Sequence, residues 1–150
     1  MAEFTYNPVQ EVQVGQNVIF NDSIKCPNGY VLHRQESGLV ILRGIVNNPC
    51  GNFARYQVTF NGNIAISEGG AVAPIAISLA IDGEAIPTSK AIFTPAAVGD
   101  YGNVTSTAIV TVPKGCCFTI AIENVSEADG AVDAQVIDVQ NANLVVSRIA

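Results

Sequence analysis

Residues 113–122 read PKGCCFTIAI, and the adjacent pair Cys116 and Cys117 is the first place to look for chemistry. Two neighbouring residues in a strand point to opposite faces, so a regular strand cannot aim both thiols at one metal ion. A disulfide between them would strain the intervening peptide, because the bond favours a larger Cα separation than one peptide unit gives. Zinc needs further ligands, and Cys26, Cys50 and His33 do not fall into the paired spacings that mark such sites. The reading that follows is of structural thiols where a strand begins. Cys26 and Cys50 are the better disulfide candidate, since each sits in a Pro- and Gly-containing turn, KCPNG and NNPCGN. Closing that loop of about 25 residues would contribute roughly 3 kcal/mol through the unfolded chain. The alternative is two unpaired loop thiols, as expected in reducing cytoplasm.

His33, in YVLHRQESG, is the one histidine, with Glu36 near it and no nucleophile at a recognisable spacing. No GxSxG elbow, phosphate-cradling glycine loop or metalloprotease helix occurs. SEADG at 126–130 lacks the alternating oxygen ligands of a calcium loop. Asn21, Asn103 and Asn124 begin N-x-S/T triplets, which read as ordinary β-surface composition. These observations argue against an enzyme, and no cofactor or metal is expected.

Those residues must be held by strands. Period-two alternation runs through RYQVTF, IAISLAI and FTIAIEN, and helical periodicity is nearly absent. Further candidates are 10–20, 29–34, 38–46, 89–95, 103–112 and 132–149, separated by Gly, Pro, Asn and Asp turns every 8–15 residues or so. The expectation is one all-β domain, an antiparallel sandwich or barrel. Within IAISLAI, Ile75, Ile77, Leu79 and Ile81 oppose Ala76, Ser78 and Ala80. A face of small residues lets another subunit, or a loop of the same chain, approach closely.

Hydrophobic residues make up 49% of the 150 and charged residues only 13%, about half the usual share. A large β core with Asn, Gln, Ser and Thr outside explains part of this, and an oligomer with charge-poor interfaces explains more. The net charge is −6, and Lys25, Arg34, Arg43, Arg55, Lys90, Lys114 and Arg148 stand singly, so no basic patch is legible and nucleic-acid binding is not expected. The amino terminus lacks the basic and apolar regions of a signal peptide, and no stretch is long enough to span a bilayer.

Four stretches, FARYQVTFNGNIAI, GAVAPIAISLAIDGEAIP, STAIVTVPKGCCFTIAIEN and VQNANLVVSRIA, resemble the jelly-roll domains of the tumour-necrosis-factor and complement-globular-head superfamily. The likeness covers about residues 8–150 and is nearest to the short bacterial and phage-associated versions found in gut Firmicutes. It implies a two-sheet jelly roll of about ten strands, residues 13–150, that assembles as a homotrimer, with residues 1–12 as an N-terminal docking segment. It also implies a binding or structural module. The expectation is a homotrimer on a particle exterior, a bacteriophage capsid decoration or head-fibre protein, reaching the virion surface after cytoplasmic synthesis without a signal. Its partners would be itself and a capsid or other large assembly. The rival is a glycan- or cell-surface-binding module, with Tyr30, Tyr101 and the loops PAAVGDYGN and NNPCGNF as its contact residues. A bacterial surface or spore-coat component is a third.

Overall fold

The computed structural model describes residues 1–24 and 29–150. Twelve strands are found among them: β1 (Ala2–Tyr6), β2 (Gln10–Val12), β3 (Asp22–Ile24), β4 (Val31–His33), β5 (Val40–Arg43), β6 (Phe53–Ile66), β7 (Ile75–Ile81), β8 (Glu84–Ala85), β9 (Ala91–Phe93), β10 (Gly102–Pro113), β11 (Cys117–Asn124) and β12 (Ile137–Arg148). They form two antiparallel six-stranded sheets. Sheet A runs β10-β6-β12-β1-β3, with β2 beside the start of β12, and sheet B runs β4-β5-β11-β7-β8, with β9 beside the start of β7. The two sheets stack as a jelly-roll sandwich.

Alternation builds the core. The even-numbered residues of β6 face inward, so Ala54, Tyr56, Val58, Phe60, Ile64 and Ile66 are all buried while Arg55, Gln57 and Asn61 are exposed. From sheet B, Ile75, Ile77, Leu79, Ile120 and Ile122 meet them. Each such side chain contributes about 1.5–3 kcal/mol on burial.

Asn61-Gly62 looks like a hairpin signal, yet β6 runs straight through it. Gln140 pairs with Asn63 and Asn143 with Asn61, so Asn141 and Ala142 together oppose Gly62 in a β-bulge. Asn141 takes the left-handed conformation (φ 55°) that the bulge requires. The bare Gly62 leaves room for Phe60, whose Cζ would lie 2.9 Å from a Cβ there.

Three short strands, β1, β3 and β8, were not legible, and 10–20 is not one strand. A Gln13–Gln16 turn, with Gly15 at φ 79°, ends β2. Beyond it the Gln10 side-chain amide substitutes for a strand partner: Oε1 accepts from the Ile19 amide at 2.8 Å and Nε2 donates to the Ile19 carbonyl at 3.0 Å. Residues 1–12, expected as a docking segment, supply β1 and β2 to sheet A. β1 lies between β12 and β3, in register Ala2↔Val146 to Tyr6↔Ala142, with Ala2 and Phe4 in the core.

Candidate functional site

The small face of β7 is filled from within the chain. Ala76, Ser78 and Ala80 are 3%, 1% and 1% exposed, although they point away from the core. At Leu79, β8 and β9 part company, and the turn Pro87–Ser89 patches the gap in the strand edge. The Leu79 amide donates to Ser89 Oγ at 3.0 Å, and Ser89 Oγ lies 3.0 Å from Ser78 Oγ and donates to the Ile86 carbonyl at 2.7 Å. Ser126 Oγ accepts from the Ala76 amide at 3.0 Å. The covering loop reaches sheet A through Ser106 Oγ, which donates to the Ser89 carbonyl. As a surface for a second subunit, this face is already occupied.

The outer face of sheet A is open and unusual in composition. Along the middle of the face the outward residues are Asn103, Thr105, Thr107 and Ile109 on β10, Gln57, Thr59, Asn61 and Asn63 on β6, and Gln140, Asn143, Val145 and Ser147 on β12; Arg55 and Asp138 stand outward toward its two ends. None of the twelve along the middle carries a charge. Register aligns them in rows that bond across strands: Asn103 Nδ2 donates to Asn63 Oδ1, Thr105 Oγ1 to Asn61 Oδ1, and Thr107 pairs with Thr59, each at 3.2 Å. Ile109 stands in this carpet 62% exposed. Strand alternation was legible in the sequence; that three strands would align one charge-poor face was not, because strand order is not local information.

Tyr30 and Tyr101 do not share a site. Arg148 Cζ lies 4.2 Å above the Tyr30 ring, beside Tyr56, whose hydroxyl donates to the Arg43 carbonyl at 2.5 Å. Tyr101 precedes Gly102, which pairs with Ile64. At about 3.3 Å per residue along β6, the two tyrosines are roughly 25–30 Å apart, at opposite ends of the sandwich. The loop NNPCGNF belongs with Tyr30 and PAAVGDYGN with Tyr101, whose phenol is 41% exposed and pushed up from 10.0 by partial burial and by the Asp138 carboxylate.

The remaining candidates are accounted for by structure. His33 Nε2 lies 2.9 Å from the Ser37 carbonyl, so that nitrogen is the donor, and the ring packs on Phe4 at 4.8 Å. Cys116 ends a turn and Cys117 opens β11 against Arg43; both thiols are exposed and free, so they are not packed as structural residues. Cys50 is also exposed and free, while its expected partner Cys26 lies outside the described residues. Among the described residues there is no group of three His, Cys, Asp or Glu placed to hold a metal ion, and no helix long and apolar enough to cross a membrane. Leu32, Leu39 and Ile41 line an open groove of about 450 Å³ at the β4 edge.

No protein-family model matches the sequence, and no curated protein matches it. Solved structures do, 51 chains of them. One is the globular domain of the zebrafish complement 1qA protein, at TM-score 0.55 and 16% identity, covering 96% of this chain and 94% of that one. The fold is that of a complement globular head. The likeness covers nearly all of both chains, so the jelly roll expected from the sequence is established; at this identity the likeness carries the fold alone.

Proposed function

We propose that the chain is a non-enzymatic structural module that assembles as a homotrimer through the outer face of sheet A and is displayed on a particle exterior, as a bacteriophage capsid decoration or head-fibre protein would be. The observation that carries the reading is the charge-poor middle of this face, with Arg55, Asp138 and Glu3 only at its margins. A solvated β-surface normally intersperses Lys and Glu among its Thr and Asn, whereas interface cores shed charge. Here twelve aligned outward residues on β10, β6 and β12 carry none, and Ile109 is left in water by the single chain. The rows of Thr, Asn and Gln retain unused donors and acceptors that a second copy can meet.

Supporting a binding or structural role are a complement-type fold and a lone histidine engaged by a backbone carbonyl. Mass spectrometry of particles purified from the source, before and after mild surface proteolysis, tests the location. The expected result is this chain present and surface-accessible; particles that lack it would end the exterior reading while leaving the assembly reading intact.

A further inference from the structure

The cations that stand singly in the sequence do not stand singly in the fold. Arg43 closes β5, Arg55 lies at the start of β6, Lys114 follows β10 and Arg148 closes β12, so four of the chain's seven Lys and Arg residues gather at one end of the sandwich. Backbone bonds make these ends neighbours. The Lys114 amide donates to the Asn52 carbonyl at 2.9 Å, the Gly115 amide to the Gly44 carbonyl at 2.9 Å, and the Gly44 amide to the Cys116 carbonyl at 2.8 Å. The approach is close enough that a Cβ on Gly44 would stand 2.0 Å from the Pro113 carbonyl oxygen.

Among the described residues, Asp and Glu side chains are sparse at this end, where Arg148 Nε and the Arg55 amide both donate to the Ala150 oxygen, at 3.1 and 3.0 Å. Segments 43–55, 113–118 and 147–150 contain no Asp or Glu, in a chain that has 13 of them. The nearest along the strands are engaged: Glu3 accepts from Asn143 Nδ2 at 2.6 Å, and Asp82 accepts from the Thr119 amide at 2.9 Å. The ion pair found among the described residues, Lys90–Glu127 at 3.3 Å, belongs to another region. The guanidinium groups are nonetheless held in place. Arg55 stacks 4.6 Å over the Phe53 ring, Arg148 stacks over Tyr30, and Arg43 Nη1 donates to the Gly29 carbonyl at 3.1 Å. The Phe53 ring and the Gly29 carbonyl position the Arg55 and Arg43 forks without neutralising them, which reduces the ordering cost of engaging an anion.

The cations come from strand ends in both sheets, which stack about 10 Å apart. That spread suits successive charges along a polymer better than one small anion. Asn47, Asn48 and Asn52 are exposed in the loop between β5 and β6, at this same end. Amides suit sugar hydroxyls, and the forks suit carboxylate or sulfate. Nucleic acid would call for aromatic faces open to bases, whereas the guanidinium of Arg148 covers Tyr30 and that of Arg55 lies on Phe53.

We propose that this cationic end binds an acidic glycan, a polysaccharide bearing carboxylate or sulfate groups. The inference goes beyond assembly and holds for a monomer as for a trimer. A protein of net charge −6 has no general attraction for polyanions, so binding reports a local site. The test is calorimetric titration of the full chain with polygalacturonate, dextran sulfate, uncharged dextran and a single-stranded oligonucleotide. Binding is expected to at least one of the two acidic polysaccharides and not to uncharged dextran; comparing the two tells carboxylate from sulfate. Affinity should fall at least about tenfold as ionic strength rises from about 20 to about 150 mM. Arg55→Gln with Lys114→Gln, both exposed positions, should weaken binding about tenfold, and Arg34→Gln, beyond the opposite end of β4, should leave it unchanged. Absence of binding to both acidic polysaccharides at low ionic strength, equal loss in Arg34→Gln, or tighter binding of the oligonucleotide than of either polysaccharide would overturn the proposal.

Discussion

The outward residues of β7 are Ala76, Ser78 and Ala80, and those of β6 and β10 include Gln57, Thr59, Asn61, Thr105, Thr107 and Ile109. Both rows face away from the core, yet the first is buried and the second open. Side-chain size makes the difference. Ala and Ser leave the backbone of β7 approachable, and a loop of the same chain settles there, with Ser89 bonding the edge that β8 and β9 leave unpaired. Thr, Asn and Gln hold neighbours off, and their cross-strand bonds keep the face regular. A small-residue stripe therefore marks a place where the fold closes on itself, whereas an uncharged polar carpet marks a surface that the single chain leaves available.

The comparison is tested most sharply by placing the same large apolar group on each face. Ser78→Leu inserts volume under the covering loop and removes a buried hydroxyl, so it should destabilise by about 3 kcal/mol. Thr107→Leu, on the open face, should stay within about 0.5 kcal/mol when both are read by urea unfolding at low protein concentration. Similar costs at the two positions would erase the distinction. Next in size is Ser89→Ala, which leaves the buried Leu79 amide without its acceptor and should cost about 1–2 kcal/mol; a neutral result would mean that the loop is not what seals β7.

A smaller effect concerns the far end of sheet A. Burial, and then the Asp138 carboxylate, hold the Tyr101 phenol above its ordinary value of 10.0. A raised folded-state value means the neutral phenol is favoured in the fold, so its contribution is complete below about pH 10 and is lost as pH rises through the folded value. Absorbance titration should place Tyr101 above its position in the unfolded chain, and Asp138→Asn should bring it partway down.

How much of this was legible depends on the range of the signal. Ile75–Ile81 was readable to the residue because alternation is local, and β6, β10, β11 and β12 were located for the same reason. β1 was missed because AEFTY reads as an ordinary terminus; it becomes a strand only because β12 and β3 flank it. The stretch 10–20 was over-extended because Gln10, a polar residue, does the work of a strand partner through its side chain. Tyr30 and Tyr101 were grouped because both lie in turns, and nothing in their spacing tells which end of a sandwich a turn occupies. The cationic end was hidden more completely: Arg43, Arg55, Lys114 and Arg148 are far apart in sequence and meet only through antiparallel strand order.

Assembly through the outer face of sheet A is most directly tested by the native mass from light scattering on a sizing column, for the natural sequence and for Thr59→Arg with Thr107→Arg. These positions face each other across β6 and β10 and are open to solvent on the single chain, so the fold should tolerate the charges. The account predicts a mass about three times 15.7 kDa for the natural chain and a folded species of 15.7 kDa for the variant. A natural chain that runs at 15.7 kDa, or a variant that remains trimeric, would contradict it.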